Sequence, residues 1–241
     1  MLLNLALSAL CYTPITTLPA LSPTRTAAIQ MATLPADEKV AFLLLAGGSG
    51  SRMKADRPKQ FLELRGKPVL QYTLELLLGM ASTAHLVLVI ADEYRDMDFL
   101  QPSVADGRLI FADPGAERQD SVRSGLAAVP ADCTLVAVHD AARPLVTPEV
   151  ITNCLCDAAE HGAAVLAVPM KPTVKESADG QFVARTLDRS KLWDVQTPQV
   201  IRPEILKAGF DKVEAENLEV TDDVSIVVSI QWHRTRVAFL F

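Results

Sequence analysis

Short runs of branched apolar residues, each closed by glycine, proline or a charged residue, alternate along the chain with stretches whose apolar positions fall three and four apart. The runs read as strands buried on both faces and the spaced stretches as helices covering them. Val40–Ala46, His85–Ala91, Arg108–Ala112, Thr134–His139 and Ala163–Val168 are the predicted strands. Between them, Pro68–Leu78 has helical spacing and stops at Gly79. Ser121–Val129 predicts a helix with Ser121 or Asp120 as N-cap, and Thr147-Pro148-Glu149 opens another that runs to Gly162. Strict alternation of the two patterns predicts an α/β, Rossmann-like, doubly wound and mostly parallel sheet.

Beyond Met170 the rhythm changes. Lys171–Lys175 and Phe182–Leu187 flank Ala178-Asp179-Gly180, an Asp-Gly turn between alternating runs, and predict a hairpin arm. An arm without a core of its own is stabilised by embracing a second subunit, so a two-fold homodimer is expected. Ser190–Gln199 returns the chain to the body, Pro203–Phe210 is helical, and Thr221-Asp222-Asp223 caps a last short helix.

The 241 residues carry a net charge of −6 and a pI near 5.3, which argues against nucleic acid as a partner. No segment reaches the roughly 18 uncharged apolar residues of a membrane span. Cys11, Cys133, Cys154 and Cys156 lack the paired spacing of a structural metal site and point to reduced thiols. Residues 1–37 are rich in hydroxyls, and up to Pro35 carry no acid and a single base, Arg25. This composition fits a plastid-type transit segment, with a disordered leader or a start at Met31 as the alternatives, preceding a catalytic domain over 38–227, with the arm at about 170–189 and a divergent tail over 228–241.

The chemistry concentrates after the first strand, at Ala46-Gly47-Gly48-Ser49-Gly50-Ser51-Arg52-Met53-Lys54 and Pro58-Lys59-Gln60. Bare glycines at the carboxyl end of a buried strand let main chain approach a ligand, and the cations beyond them suit a polyphosphate. It is neither a P-loop nor a dinucleotide fingerprint, because Gly-Lys-Ser/Thr is missing and Met53 stands where the third glycine belongs. Asp113–Ser121 after the third strand offers a wall for a flat base, through Gly115 and Ser121. His139-Asp140-Ala-Ala-Arg143 after the fourth offers a carboxylate for Mg²⁺ and a guanidinium for a phosphate. Asp140 reads equally as a turn cap, and His139 as a packed strand residue.

In this order, Leu45–Met53, Pro58–Gln60, Glu117–Val122, Val138–Pro144, Thr186-Leu-Asp-Arg189, Trp193, Gln196–Gln199 and Thr221–Asp223 resemble 2-C-methyl-D-erythritol 4-phosphate cytidylyltransferases, most of all the plant and algal form. The resemblance implies a nucleotide-diphospho-sugar transferase type of fold and the transfer of CMP from CTP to methylerythritol phosphate with Mg²⁺, in the plastid stroma. It implies that Arg52 and Lys59 stabilise the reacting phosphates and that Asp140 holds the metal. Ala46, Gly47, Gly48, Gly50, Gly115 and Ser121 would bind the nucleotide, and Arg143, Thr173, Thr197 and Thr221 the sugar phosphate. Arg189 would reach from the arm into the neighbouring subunit's site. After Val227 the match breaks: the family's Asn-Ile-Lys-Val-Thr segment has no counterpart, which predicts weaker activity and an exposed apolar tail. Ribitol phosphate cytidylyltransferase and a non-catalytic, dimerising isoform remain as alternative readings.

Overall fold

The computed structural model describes residues 33–48, 57–218, 220, 222–230 and 235–239. The predicted leader up to residue 32, Gly50, Arg52 and Thr221 lie outside the described residues. In chain order the elements are β1 (Val40–Leu45), β2 (Glu63–Leu64), β3 (Lys67–Pro68), α1 (Val69–Gly79), β4 (Thr83–Val89), α2 (Gln101–Ala105), β5 (Leu109–Ala112) and α3 (Arg118–Ala127). They continue with β6 (Leu135–Asp140), α4 (Pro148–His161), β7 (Ala163–Pro169), β8 (Lys175–Glu176), β9 (Arg185–Thr186), β10 (Trp193–Ile201), α5 (Pro203–Glu216), α6 (Asp223–Ser229) and β11 (Arg236–Phe239).

One seven-stranded sheet runs in the order β11-β7-β10-β6-β1-β4-β5. β1 pairs in parallel with β4 and β6, and β5 in parallel with β4. β10 is antiparallel to both of its neighbours, β6 and β7. The reading of a mostly parallel sheet therefore holds, with this one reversed strand added. β10 escaped prediction because its first half, Trp193-Asp194-Val195-Gln196, is only partly buried and carries no apolar run, and Pro198 interrupts it. The proline sits in a bulge between Val195 and Gln199, where a missing N–H breaks no ladder bond.

Both faces of the sheet are covered. Phe42 and Leu44 of β1 pack with Leu70, Leu74 and Leu77 of α1 and Ile151 and Leu155 of α4. Leu43 points the other way, into a layer with Val122 of α3, Leu206 and Phe210 of α5, and Ile226 of α6. This is why β1 is a continuous apolar run and not an alternating one: both side-chain sets are buried.

The helices begin and end for local reasons, and two differ from expectation. Thr147 caps α4 by accepting from the Val150 N–H at 3.4 Å, and Gly162 ends it at φ +88°. α3 starts three residues before its predicted Ser121, at Arg118. Asp120 accepts from the Glu117 N–H at 3.0 Å from inside the first turn, so it back-caps the helix and does not precede it. α5 runs on to Glu216 because Val213 extends the buried stripe past Phe210. Asp222 caps α6 by accepting from the Ser225 N–H at 2.9 Å.

The predicted arm is a hairpin, but its paired strands shrink to two residues each, β8 and β9. Asp179 fixes the turn by accepting from the Gln181 and Phe182 N–H groups, and Gly180 supplies φ +71°. Phe182 and Val183 at its tip are 76% and 62% exposed. The region read as a divergent tail contributes more than expected: α6 extends through Ser229, and β11 adds to the sheet edge in parallel with β7, burying Ala238. Among the described residues no helix is long and apolar enough to cross a membrane.

Burial on both faces makes a specific demand. Phe42→Ala and Leu43→Ala, adjacent in sequence, should each cost about 2–5 kcal/mol in urea unfolding. A sheet with one solvated face would lose stability at only one of the two.

Candidate active site

The strand carboxyl ends meet at one edge. Leu45 lies opposite Asp140 in the β1–β6 register, the Ala46 N–H donates to the Val89 carbonyl at 2.8 Å, and the Ala141 N–H donates to that of Leu45 at 3.1 Å. β1, β4 and β6 thus stop together. The loops leaving β1 and β6, Gly47-Gly48 and Asp140–Arg143, line a cleft of about 960 Å³. Such a position, outside the carboxyl ends of an open α/β sheet, is where this architecture binds ligands.

Each wall has a local cause. Gln60, 3% exposed, donates from Nε2 to the carbonyls of Ala46 at 2.5 Å and Gly48 at 3.0 Å, pinning the returning segment across the glycine turn. Lys59, its neighbour, is thereby held at the cleft. The glycines divide into two kinds. A Cβ on Gly47 would fall 2.4 Å from the Pro114 Cβ, and one on Gly115 would fall 2.1 Å from the Asp120 Cβ. Those two are bare because protein packs on them. Among the described residues a Cβ on Gly48 would meet nothing within 4 Å, so its bareness leaves room at the cleft. Ser121, expected to donate to a base, has its Oγ engaged by the Gly115 N–H at 3.0 Å and faces the Glu117 carbonyl at 3.2 Å. It shapes the Gly115 loop.

Asp140 is the electrostatic centre. Its Oδ1 accepts from Arg118 Nη1 at 2.7 Å and its Oδ2 from Arg143 Nε at 2.8 Å, while its N–H donates to Thr197 Oγ1 at 3.3 Å. Burial alone would raise its pKa, but the guanidinia, Arg118 foremost, outweigh burial and hold the carboxyl below its usual range. Arg118 reaches on through Nη2 to Asp223 Oδ2 at 2.7 Å. There burial dominates and pushes the Asp223 carboxyl up against the pull of Arg118. Arg143 also bonds Gln196 Oε1. His139 is fully buried, and burial lowers it to about 4, so it is neutral at physiological pH. Its Nε2 faces the Arg143 carbonyl at 3.2 Å, which braces the Asp140–Arg143 turn as expected of a packed strand residue.

Of the residues singled out in the sequence, Gly47, Gly48, Lys59, Gly115, Ser121, Asp140, Arg143 and Thr197 line this cleft together. Ala46 lies beneath it, 3% exposed, with its carbonyl taken by Gln60. Thr173 and Arg189 do not line it; Arg189, on the short turn after the hairpin, donates to the Lys171 carbonyl at 3.0 Å. The sequence reading missed Arg118, Gln60 and Asp223. Arg118 enters the site because α3 begins at it, so the helix's first residue points back toward the sheet edge; the early start was the missing signal.

Comparison with known proteins agrees with this geometry. The family model described as 2-C-methyl-D-erythritol 4-phosphate cytidylyltransferase (IspD) matches residues 40–238. The chain belongs to that cytidylyltransferase family. It is 47% identical over 193 residues to the chloroplastic enzyme of that name from Oryza sativa subsp. japonica, a match covering 79% of this chain and 64% of the rice protein. To the Bacillus velezensis enzyme it is 41% identical over 197 residues, covering 80% and 83%. Among solved structures, 4-diphosphocytidyl-2C-methyl-D-erythritol synthase from Anaerococcus prevotii superposes with a TM-score of 0.75 at 25% identity, covering 84% of this chain and 89% of that one. The cytidylyltransferase match spans β1 into β11, and so takes in every wall of the cleft.

The two kinds of glycine separate by experiment. Gly48→Ala should leave unfolding free energy within about 0.5 kcal/mol of the parent while raising the Kd for CTP in a titration. Gly47→Ala should destabilise the protein itself, by about 1–3 kcal/mol, because the Pro114 loop must move.

Proposed function

We propose that this chain transfers CMP from CTP to 2-C-methyl-D-erythritol 4-phosphate, releasing pyrophosphate. One observation carries the reading: an open glycine at Gly48, the Lys59 ammonium, the ionised Asp140 and the Arg143 guanidinium meet in one cleft at the sheet's carboxyl edge.

A phosphate oxygen of the sugar phosphate attacks the α-phosphorus of CTP. The new P–O bond forms as the bond from that phosphorus to the α,β-bridging oxygen breaks, and pyrophosphate departs with the electron pair. Phosphate monoesters have a second pKa of about 6, so the nucleophile is ionised at neutral pH and no protein base is required. What remains for the protein is alignment and charge neutralisation. The main chain of Gly47, Gly48 and Gly50, with Gly115, is assigned to the nucleotide, while Ala46 and Ser121, whose polar groups are engaged by protein, support these loops from behind. Arg52 and Lys59 are assigned to the α-phosphoryl and the leaving group, and Arg143, Thr197 and Thr221 to the sugar phosphate; Thr173, on the arm and outside this cleft, is not assigned a contact within it.

The described cleft is not strongly cationic: Lys59, Arg118 and Arg143 stand against Glu117, Asp140, Asp194 and Asp222. A tetra-anionic nucleotide needs further positive charge there. Asp140 suits a Mg²⁺ ion, being a hard, ionised oxygen donor with lone pairs beyond its two guanidinium bonds. Bound at Asp140, the ion would neutralise phosphate oxygens of CTP. We assign the hairpin, with its exposed Phe182 and Val183, to a homodimer contact that places Arg189 beside the partner's sugar phosphate. The plastid stroma is the proposed location, supported by the transit-like composition of the leader and by the chloroplastic rice relative.

Pyrophosphate release with CTP, Mg²⁺ and methylerythritol phosphate tests the reading. Lys59→Ala should lower kcat/KM about 100- to 1,000-fold, the usual loss of one transition-state donor, and ATP or ribitol phosphate should give little product. An equal rate in Lys59→Ala would refute the assignment.

The pH profile supplies a second check. As pH falls through about 6 the substrate dianion takes up a proton and loses nucleophilicity, so kcat/KM for the sugar phosphate should drop there. Neither Asp140, held low, nor His139, near 4, titrates in that range. An acid limb near 4 would assign the limb to the protein instead.

A further inference from the structure

The amino end of the sheet, opposite the cleft, holds a second set of chemically competent groups. His85, on β4, lies beside Ala41 of β1, while Asp132 and Cys133 form the turn that enters β6. One donor atom from each of the three lies within 4.8 Å of the others. The turn is fixed to β1: the Thr134 N–H donates to the Lys39 carbonyl at 2.9 Å, and the Lys39 N–H donates to Thr134 Oγ1 at 2.9 Å. Two features are unexplained by packing. Among the described residues the buried His85 Nδ1 has no hydrogen-bond partner, an expensive state for a ring nitrogen. The thiol of Cys133, 4% exposed, has an imidazole nitrogen and a carboxylate oxygen within 4.8 Å and so is not in a purely apolar shell.

We propose that His85, Asp132 and Cys133 form a binding site for a divalent transition-metal ion of borderline softness, zinc foremost. Imidazole nitrogen, thiolate sulfur and carboxylate oxygen together suit zinc and its neighbours and not Mg²⁺ or Ca²⁺, which take oxygen. Three protein donors leave the fourth tetrahedral position to water. Bonds of about 2.0–2.3 Å put tetrahedral donors about 3.3–3.7 Å apart, so donors within 4.8 Å need close by at most about 1–1.5 Å. Asp132 supplies that movement, since its side chain is 56% exposed. Its partner, Lys39 Nζ at 2.7 Å, is 55% exposed and can turn to water. On binding, the Cys133 thiol gives its proton to solvent and a sulfur–metal bond forms. The ion would clip the entry of β6 to β4 across the start of β1, about 20 Å from Asp140 along the strand at 3.3 Å per residue. Its effect is on stability, and it is independent of the proposed catalysis.

Cobalt is the probe. The full chain, stripped with a chelator, should bind one Co²⁺ with a thiolate-to-metal charge-transfer band in the near ultraviolet, and Zn²⁺ should displace it. Cys133→Ala should abolish the band, and His85→Gln and Asp132→Asn should weaken binding by at least the roughly 10-fold that losing even an outer-sphere partner costs. Zn²⁺ should raise the Tm of the parent and not of Cys133→Ala, whose turnover of CTP should stay at the parent rate. Should Cys133→Ala misfold, the exposed Asp132→Asn carries the test. A band that survives Cys133→Ala, or that is lost in Cys156→Ala or Asp140→Asn, overturns the site, as does failure of the parent to bind Co²⁺ at micromolar concentration.

Discussion

The register of β1 against β6 is the constraint on which the site depends. Val40 faces Leu135 and the pairing runs unbroken to Leu45 opposite Asp140. With both faces of β1 buried, a slip of one residue would drive Phe42 into the layer built for Leu43 and the reverse, exchanging two differently shaped cores at once. Because the register cannot slip, the glycine turn after β1 and the acid that ends β6 emerge side by side. The geometry of the cleft is in this sense set by the hydrophobic packing of Phe42 and Leu43 on the two faces of β1.

The loops above this edge are held by short-range exclusions and not by flexibility. Pro114 rests where a Gly47 side chain would be, and Asp120 where one on Gly115 would be. Gln60 ties the far side of the glycine turn to main chain. Beneath the Asp140 turn, Thr73 of α1 donates to the Ala141 carbonyl at 2.9 Å in a buried bond. Each tether comes from a different element, so the walls are positioned by the layer structure as a whole, which is what a preorganised site requires.

How much of this could be read in the sequence depends on which signals are local. Buried parallel strands announce themselves, because two covered faces need an uninterrupted apolar run, and the caps of α4 are visible as Thr147, Pro148 and Gly162. The glycine turn and Asp140 were legible for the same reason: each sits where a run ends. β10 was not, since its first half is only partly buried and its proline contradicts a central strand until the bulge is known. The start of α3 was displaced because Asp120 and Ser121 are good cap types that act here from within the first turn. That error hid Arg118, whose role is defined only by partners 22 and 105 residues distant. No window on the chain contains all three.

Arg118 shows how one cation can give two acids different characters. Asp223, with a side chain only 2% exposed, has no other ion-pair partner among the described residues, and desolvation governs it. Asp140, 26% exposed, adds Arg143 to the same guanidinium and is held ionised. Removing Arg118 would leave Asp223 buried and uncompensated, the costly way to break such a pair. A cation arriving at Asp140, by contrast, need only share an oxygen that faces the cleft, while Arg118 keeps its bond to Asp223. The fixed pair with α6 thus leaves the acid of the cleft ionised and accessible.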